Sequence, residues 1–243
     1  MDLLVYSLEC QGGAEAMAAD EVLLQRAQNG VPLLRFYTWS EPTVSLGYFQ
    51  LSQLLLDNPQ LNSLPWVRRQ TGGEALVHHL ELTYCLVVPT ALAGSRPAIW
   101  QTRMHQAILE GLQDLGHGLG TMDLPELRLD PSGLLCFLHH TPMDLVFKNH
   151  KVAGSAQRKT RHGLMQHGGI LLGRSPHAPT LPGVRELSGK DILPGELAAA
   201  MCKRFCAQLG WKETPASWAA EEKSKVKELA REKYGSEEWG RKR

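Results

Sequence analysis

The stretch HKVAGSAQRKTRHGLMQHGGILL, residues 150–172, decides how this chain folds. It holds two β-prone runs, KVAGSAQ and GLMQHGGILL, on either side of a polar turn, RKTRH. Two such runs across a short polar turn read as antiparallel strands. Just upstream, MDLVF (143–147) and the turn Lys148-Asn149-His150 add a third strand to the same series.

Working outward, ELTYCLVVP (81–89) is another strongly β stretch, and WVRRQTGGEALVHH (66–79) is a short strand feeding a glycine turn. PLLRFYTW (32–39) and TVSLGYF (43–49) read as two strands joined by the turn SEP. The helical period appears in AEAMAADEVLLQRAQNG, stopped by Asn29-Gly30, and in AIWQTRMHQAILEGLQDLG, about five turns long. Beyond the connector SPHAPTLPGV, the remainder reads as two helices, about 194–209 and 216–233, and a charged tail. Strands in runs, rather than strict βαβ alternation, predict an α+β fold, with a largely antiparallel sheet and helices packed mainly on one face.

The chain has 243 residues, 43% of them hydrophobic, enough for one sizeable core. A single domain over 1–243 is expected. Lys plus Arg (26) nearly balance Asp plus Glu (25), which argues against a dedicated nucleic-acid binder. The N-terminus lacks a basic start, and no apolar run approaches the roughly 20 residues of a membrane span, so a soluble cytoplasmic chain with no membrane partner is expected.

Five cysteines, Cys10, Cys85, Cys136, Cys202 and Cys206, do not suit a disulfide framework in an unsecreted chain. Cys202 and Cys206 are spaced i, i+4, but no CxxC or histidine stands at metal-ligand spacing, so both read as small core residues and no metal is expected. Three segments could carry chemistry. In RRQTGGEALVH, Gly72 and Gly73 allow either a tight turn or close approach of a ligand, Arg68 and Arg69 can hold a carboxylate or phosphate, and His78 follows. In KVAGSAQ, Lys151 is either a solvated strand-end cation or a charge aimed at a ligand lying along small residues. Cys136 is either a packed small hydrophobe or a nucleophile. The second role needs a cation nearby, since a free thiol near pKa ~8.5 is only a few per cent ionised at neutral pH.

Together these segments resemble a known family. RRQTGGEALVHHLELTY and HKVAGSAQRKTRHGLMQHGGILL are similar to the two central motifs of the lipoate–protein ligase A, biotin ligase and octanoyltransferase superfamily. GAEAMAADEVLL resembles its N-terminal helix and KYGSEEWGRKR its terminal motif. The resemblance implies the biotin/lipoate protein ligase catalytic-domain fold, a mixed sheet with an acyl-binding tunnel. Leu135-Cys136-Phe137 occupies the place of the nucleophile in the Gram-positive-type octanoyltransferase. The chain departs from the family at Glu74, where a third glycine is usual, and at His79, where an Asp often follows the motif histidine.

What the resemblance implies is an acyltransferase of lipoate biosynthesis. Octanoate would pass from octanoyl-acyl carrier protein to Cys136, then to a lysine of a lipoyl domain such as glycine cleavage H protein. Lys151 would be the second catalytic residue. Arg68, Arg69, Gly72, Gly73, His78, Gly154, Ser155, Ala156, Gln157 and His167 would bind substrate. No cofactor is implied. Arg158, Lys159 and Arg161 are either a solvated turn or a docking patch for acidic carrier protein. Three other readings stay open: a lipoate–protein ligase using ATP and Mg, with Cys136 incidental; a lipoyl-domain amidotransferase; and a carrier-binding protein without turnover.

Overall fold

A computed structural model describes residues 1–118, 134–135, 137 and 144–243. In chain order the elements are β1 (Asp2–Tyr6), β2 (Glu9–Gln11), α1 (Gly13–Arg26), β3 (Leu33–Trp39), β4 (Thr43–Leu46), α2 (Gln53–Leu56), β5 (Trp66–Arg68), β6 (Leu76–His78), β7 (Glu81–Pro89), α3 (Thr90–Ala93) and α4 (Ala98–Asp114). After the undescribed segment come β8 (Leu145–Phe147), β9 (His150–Lys159), β10 (Gly163–Leu171), α5 (Val184–Ser188), α6 (Pro194–Leu209), β11 (Lys212–Ala216), α7 (Ala220–Leu229) and α8 (Glu237–Gly240).

The larger sheet runs β11-β1-β3-β7-β10-β9-β8, with β2 beside β3. Its centre is antiparallel, as the strand series in the sequence predicts: β10 pairs with β7 from Gly163↔Pro89 to Leu171↔Glu81, and with β9 on its other side. Every residue of β7 and of β10 is buried, which accounts for their nearly unbroken apolar runs. The β8–β9 hairpin turns at Lys148 and Asn149, both at positive φ (48° and 64°), the backbone of a two-residue primed turn. At its β1 end the sheet is parallel, with β1 lying between β3 and β11.

The two longest helices, α4 and α6, cover one face. There Trp100, Met104, Ile108, Met201 and Phe205 pack against Leu34, Tyr84, Leu86 and Leu164. The expected concentration of helices on one face is refined by α1, which lies on the opposite face, with Met17, Leu23 and Leu24 against Leu33, Val87 and Met165.

The two strands joined by the turn SEP are present as β3 and β4, but they do not share a sheet: β4 becomes the centre of a second, three-stranded sheet, β5-β4-β6. All four β4 residues are buried, so this strand packs on both of its faces. The second C-terminal helix does not begin at 216, because residues 212–216 form β11, paired parallel with β1. The remainder is α7, a π-helical turn (Ala230–Tyr234) and α8. Among the described residues no helix is long and apolar enough to cross a membrane.

Candidate active site

The small sheet stands over the α1-side face of the large one, and a cavity lies between them, with about 530 Å³ of empty space when its open mouth is included. Large-sheet residues Trp39, Thr83, Gly154, Ala156, His167 and Gly169 form one wall. Ser45, Arg69, Gly73, Leu76 and His78 form the other, and Met17 and Phe137 also line the space.

The glycine loop between β5 and β6 needs its glycines at two points. Gly73 has φ +86°, a left-handed conformation costly for other residues. A Cβ on Gly47 would stand 1.7 Å from the Gly73 carbonyl oxygen, so Gly47 allows the loop to lie against β4. Glu74 has no positive φ, so a side chain where the family usually has glycine fits this loop without strain. Arg69, buried, staples the loop from within, donating to the carbonyls of Ser45 (2.9 Å), Gly72 (2.9 Å) and Glu74 (2.6 Å).

His78 sits in a chain of hydrogen bonds. Its Nδ1 lies 2.6 Å from Glu81 Oε1 and its Nε2 2.7 Å from Ser45 Oγ, while the Trp39 indole stacks on the ring at 3.7 Å. Thr83 Oγ1 donates to the same Glu81 oxygen and accepts from Trp39 Nε1. Arg69 Nη1 donates to Ser45 Oγ, which leaves the serine proton for His78 Nε2 and places the imidazole proton on Nδ1, facing Glu81. Burial, opposed by Glu81, lowers the His78 pKa.

The sign of that shift sets a pH dependence. An unfolded histidine titrates near ~6.5 and the folded one lower, so the unfolded chain takes up the proton first. The stability this gives is complete above ~6.5 and is lost as pH falls through the folded value. His79 and His117, also lowered mainly by burial, act in the same direction. The melting temperature is expected to fall between pH 7 and pH 5, with a shallower slope in His78→Gln. An equal slope in the variant would remove His78 from this account.

His167 ties three elements together. Its Nδ1 meets Asp20 Oδ2 of α1 at 2.9 Å, and its Nε2 meets Thr71 Oγ1 of the glycine loop at 2.6 Å. Asp20 is buried and is also held by Arg35 (3.1 Å) and Tyr37 (3.2 Å).

Lys151 does not reach solvent, so it is no strand-end surface cation. It is buried, with its ammonium 2.9 Å from Asp144 Oδ2 and 5.0 Å from the centre of the Phe137 ring. A Cβ on Gly154 would fall 2.4 Å from Lys151 Cε, so the Lys151 side chain lies directly against a glycine that lines the cavity. Cys136 lies outside the described residues. Its chain neighbours are described: Leu135 bridges to Ala75 beside the glycine loop, and Phe137 lines the cavity.

Of the substrate-binding residues expected from sequence, Arg69, Gly73, His78, Gly154, Ser155, Ala156 and His167 meet at the cavity. The others serve different places. Arg68, fully buried, donates to the carbonyls of Gly47 (2.8 Å), Gln50 (2.7 Å) and Gly240 (2.9 Å), clamping the C-terminal segment to the loop after β4. Gly72 lies beneath the Phe49 ring on the outer side of the loop. Gln157 bonds to Pro97 O and to Gln166. Ser155 also bonds His105 of α4. Arg158, Lys159 and Arg161 form no single patch. Arg158 donates to Gln70 O on the glycine loop, whereas its strand neighbour Lys159 reaches the opposite side, to Gly94 O. Sequence reading missed Asp20, Trp39, Ser45 and Glu81, and it placed no role on Asp144.

With this geometry in place, comparison with known proteins is informative. Residues 13–177 match the lipoyl protein ligase A/B catalytic domain. The chain is 31% identical to the octanoyltransferase LipM of Brevibacillus brevis, over 97% of each chain, and 33% identical to that of Geobacillus kaustophilus, over 93% of each. In fold it is similar to a T. acidophilum lipoate protein ligase structure with bound lipoic acid (TM-score 0.80, 23% identity, 100% of both chains). It is also similar to a lipoate-protein ligase A structure bound with ATP (TM-score 0.78, 22% identity, 99% of both). A matching domain over most of the chain and relatives above 30% identity along nearly its whole length make this chain a member of the lipoyl protein ligase A/B catalytic domain family.

Proposed function

We propose that this protein is an octanoyltransferase of lipoate biosynthesis that works through an enzyme thioester on Cys136. The observation that carries the reading is an assembly at the cavity: Leu135 bridged to Ala75 beside the glycine loop, Phe137 in the cavity lining, and the Lys151–Asp144 pair against Phe137 and Gly154. The full-length relatives named as octanoyltransferases support the chemistry.

In this reading octanoyl-acyl carrier protein delivers its acyl chain into the cavity. Burying its seven aliphatic carbons, at ~0.8 kcal/mol each, contributes roughly 5–6 kcal/mol to chain selection. The Cys136 thiolate attacks the thioester carbonyl, the carbon–sulfur bond to the carrier breaks, and the carrier leaves as a thiolate that takes a proton from water. The ε-amine of a lipoyl-domain lysine, glycine cleavage H protein being one such acceptor, then attacks the acyl-enzyme. It loses a proton as the amide forms and the Cys136 thiolate is released. Lys151, fixed by Asp144, supplies positive charge beside the thiolate and the carbonyl oxygen. Arg69 and His167 keep the glycine loop closed over the acyl chain. One thioester is exchanged for another, so no nucleotide is needed.

The test is transfer of octanoate from carrier protein to a purified lipoyl domain with ATP and Mg absent. Transfer under those conditions is expected. Transfer only from free octanoate or lipoate with ATP would instead identify a ligase.

A further inference from the structure

The glycine loop has an outer face as well as the inner one that lines the cavity. Tyr48 is fastened to it by a hydrogen bond from its backbone N–H to Thr71 O (2.8 Å), and the Phe49 ring lies 3.8 Å from the place a Cβ of Gly72 would take. Phe49, Leu51 and Leu54 are exposed, Phe49 to 71%. Gly73, also exposed, is the point where this outer face meets the cavity.

Cations gather around the neighbouring Tyr48 ring, whose centre lies 5.0 Å from that of Phe49. The Arg158 guanidinium lies 5.7 Å from the centre of the Tyr48 ring. The Lys242 ammonium lies 4.8 Å from it and donates to the Tyr48 hydroxyl at 2.7 Å. The hydrogen bond from Lys242, with the charges of Lys242, Arg158 and Arg243, draws the Tyr48 pKa below its usual value. Among the described residues neither Arg158 nor Lys242 pairs with a carboxylate. Nearby Lys233 and Arg241 do, with Glu21 (2.7 Å) and Glu237 (3.8 Å). The chain as a whole carries a net charge of only +1, so this is a local concentration of charge. An apolar centre with unneutralised cations at its rim, at the mouth of a cavity, suits an acidic protein that must place a group inside.

We propose that Phe49 and Leu51, beside the Tyr48 ring that Arg158 and Lys242 flank, form the docking surface for the acidic carrier protein that delivers the octanoyl thioester. This surface replaces the Arg158-Lys159-Arg161 turn as the docking site, and it rests on the octanoyl-transfer reading.

The test uses the full chain and a carrier protein bearing octanoate through a non-hydrolysable amide. Binding is titrated by fluorescence anisotropy at low and high salt. The Phe49→Ser/Lys242→Glu variant, changed only at exposed positions, is expected to bind about tenfold more weakly and with a flatter salt dependence. Its affinity for a lipoyl domain should not change. Undiminished carrier affinity would overturn the proposal, as would a loss confined to the lipoyl domain, which would make this the acceptor's surface. Wild-type transfer from carrier to lipoyl domain, run in parallel, separates the two readings. If transfer proceeds and the variant binds normally, only the surface is wrong. If wild type neither binds carrier nor transfers, the octanoyl-transfer reading fails with it.

Discussion

Lys151→Ala is expected to abolish turnover and to lower stability together, because the side chain removed is one half of a buried ion pair. Its ammonium lies 2.9 Å from Asp144, and both side chains are nearly inaccessible to water. Breaking such a pair from one side costs about 3–5 kcal/mol, since the carboxylate keeps its desolvation and loses this partner. In a chain of 243 residues that is a fall in Tm of roughly 6–20 °C, at about 2–4 °C per kcal/mol. Loss of activity in Lys151→Ala alone therefore does not isolate the lysine's chemical role. Lys151→Met with Asp144→Asn does, because it removes both charges and keeps the volume. Stability is expected to return to near wild type while octanoyl transfer stays below about a hundredth of the wild-type rate, the scale set by loss of one preorganised electrostatic group. Lys151→Arg should fail as well, since a planar guanidinium does not fit the space against Gly154 that the lysine stem fills. A stable double variant with full transfer would reduce the lysine to a structural role.

The parts of this molecule legible in its sequence are those whose side chains record their surroundings. β7 and β10 are buried along their whole length, and their mostly apolar runs say so. α6 begins and ends where the proline and glycine place it, at Pro194 and before Gly210. β11 was not legible. Its sequence, KETPA, is mostly polar and partly exposed, and it is a strand only through backbone pairing with β1. The separation of β3 from β4 was hidden for a related reason. Both are β-prone, and the turn between them does not record which sheet each will join.

Seven of the motif residues expected to bind substrate line the cavity, and others hold the structure around it. Arg68 and Arg69 are adjacent and alike in sequence. Alternation along the chain sends one to clamp the C-terminal segment and the other to staple the glycine loop. His78 was identified from its motif, but Ser45, Glu81 and Trp39, which fix its tautomer and ring plane, come from three different strands. Asp144 precedes Lys151 by a hairpin, and only the folded β8–β9 turn brings the two charges together.

In the proposed reaction Cys136 carries the acyl group, and the other cysteines offer a clear contrast for testing it. Cys85 is buried against Asp20, and burial pushes its thiol pKa far up. Burial also raises the pKa of Cys202 and Cys206 in α6, and Cys10 is exposed on β2 away from the cavity. None of these lines the cavity. Cys136 lies in sequence between Leu135, bridged to Ala75, and the cavity residue Phe137. Cys136→Ala is therefore expected to abolish transfer while still binding acyl chains. The most direct measurement is the intact mass of the protein after incubation with octanoyl-acyl carrier protein, without acceptor and without nucleotide. One added octanoyl group is expected, removed by hydroxylamine as a thioester should be, with no addition in Cys136→Ala. An unmodified wild-type protein, together with a Cys136→Ala variant that joins lipoate to a lipoyl domain when ATP is supplied, would contradict the proposed reaction.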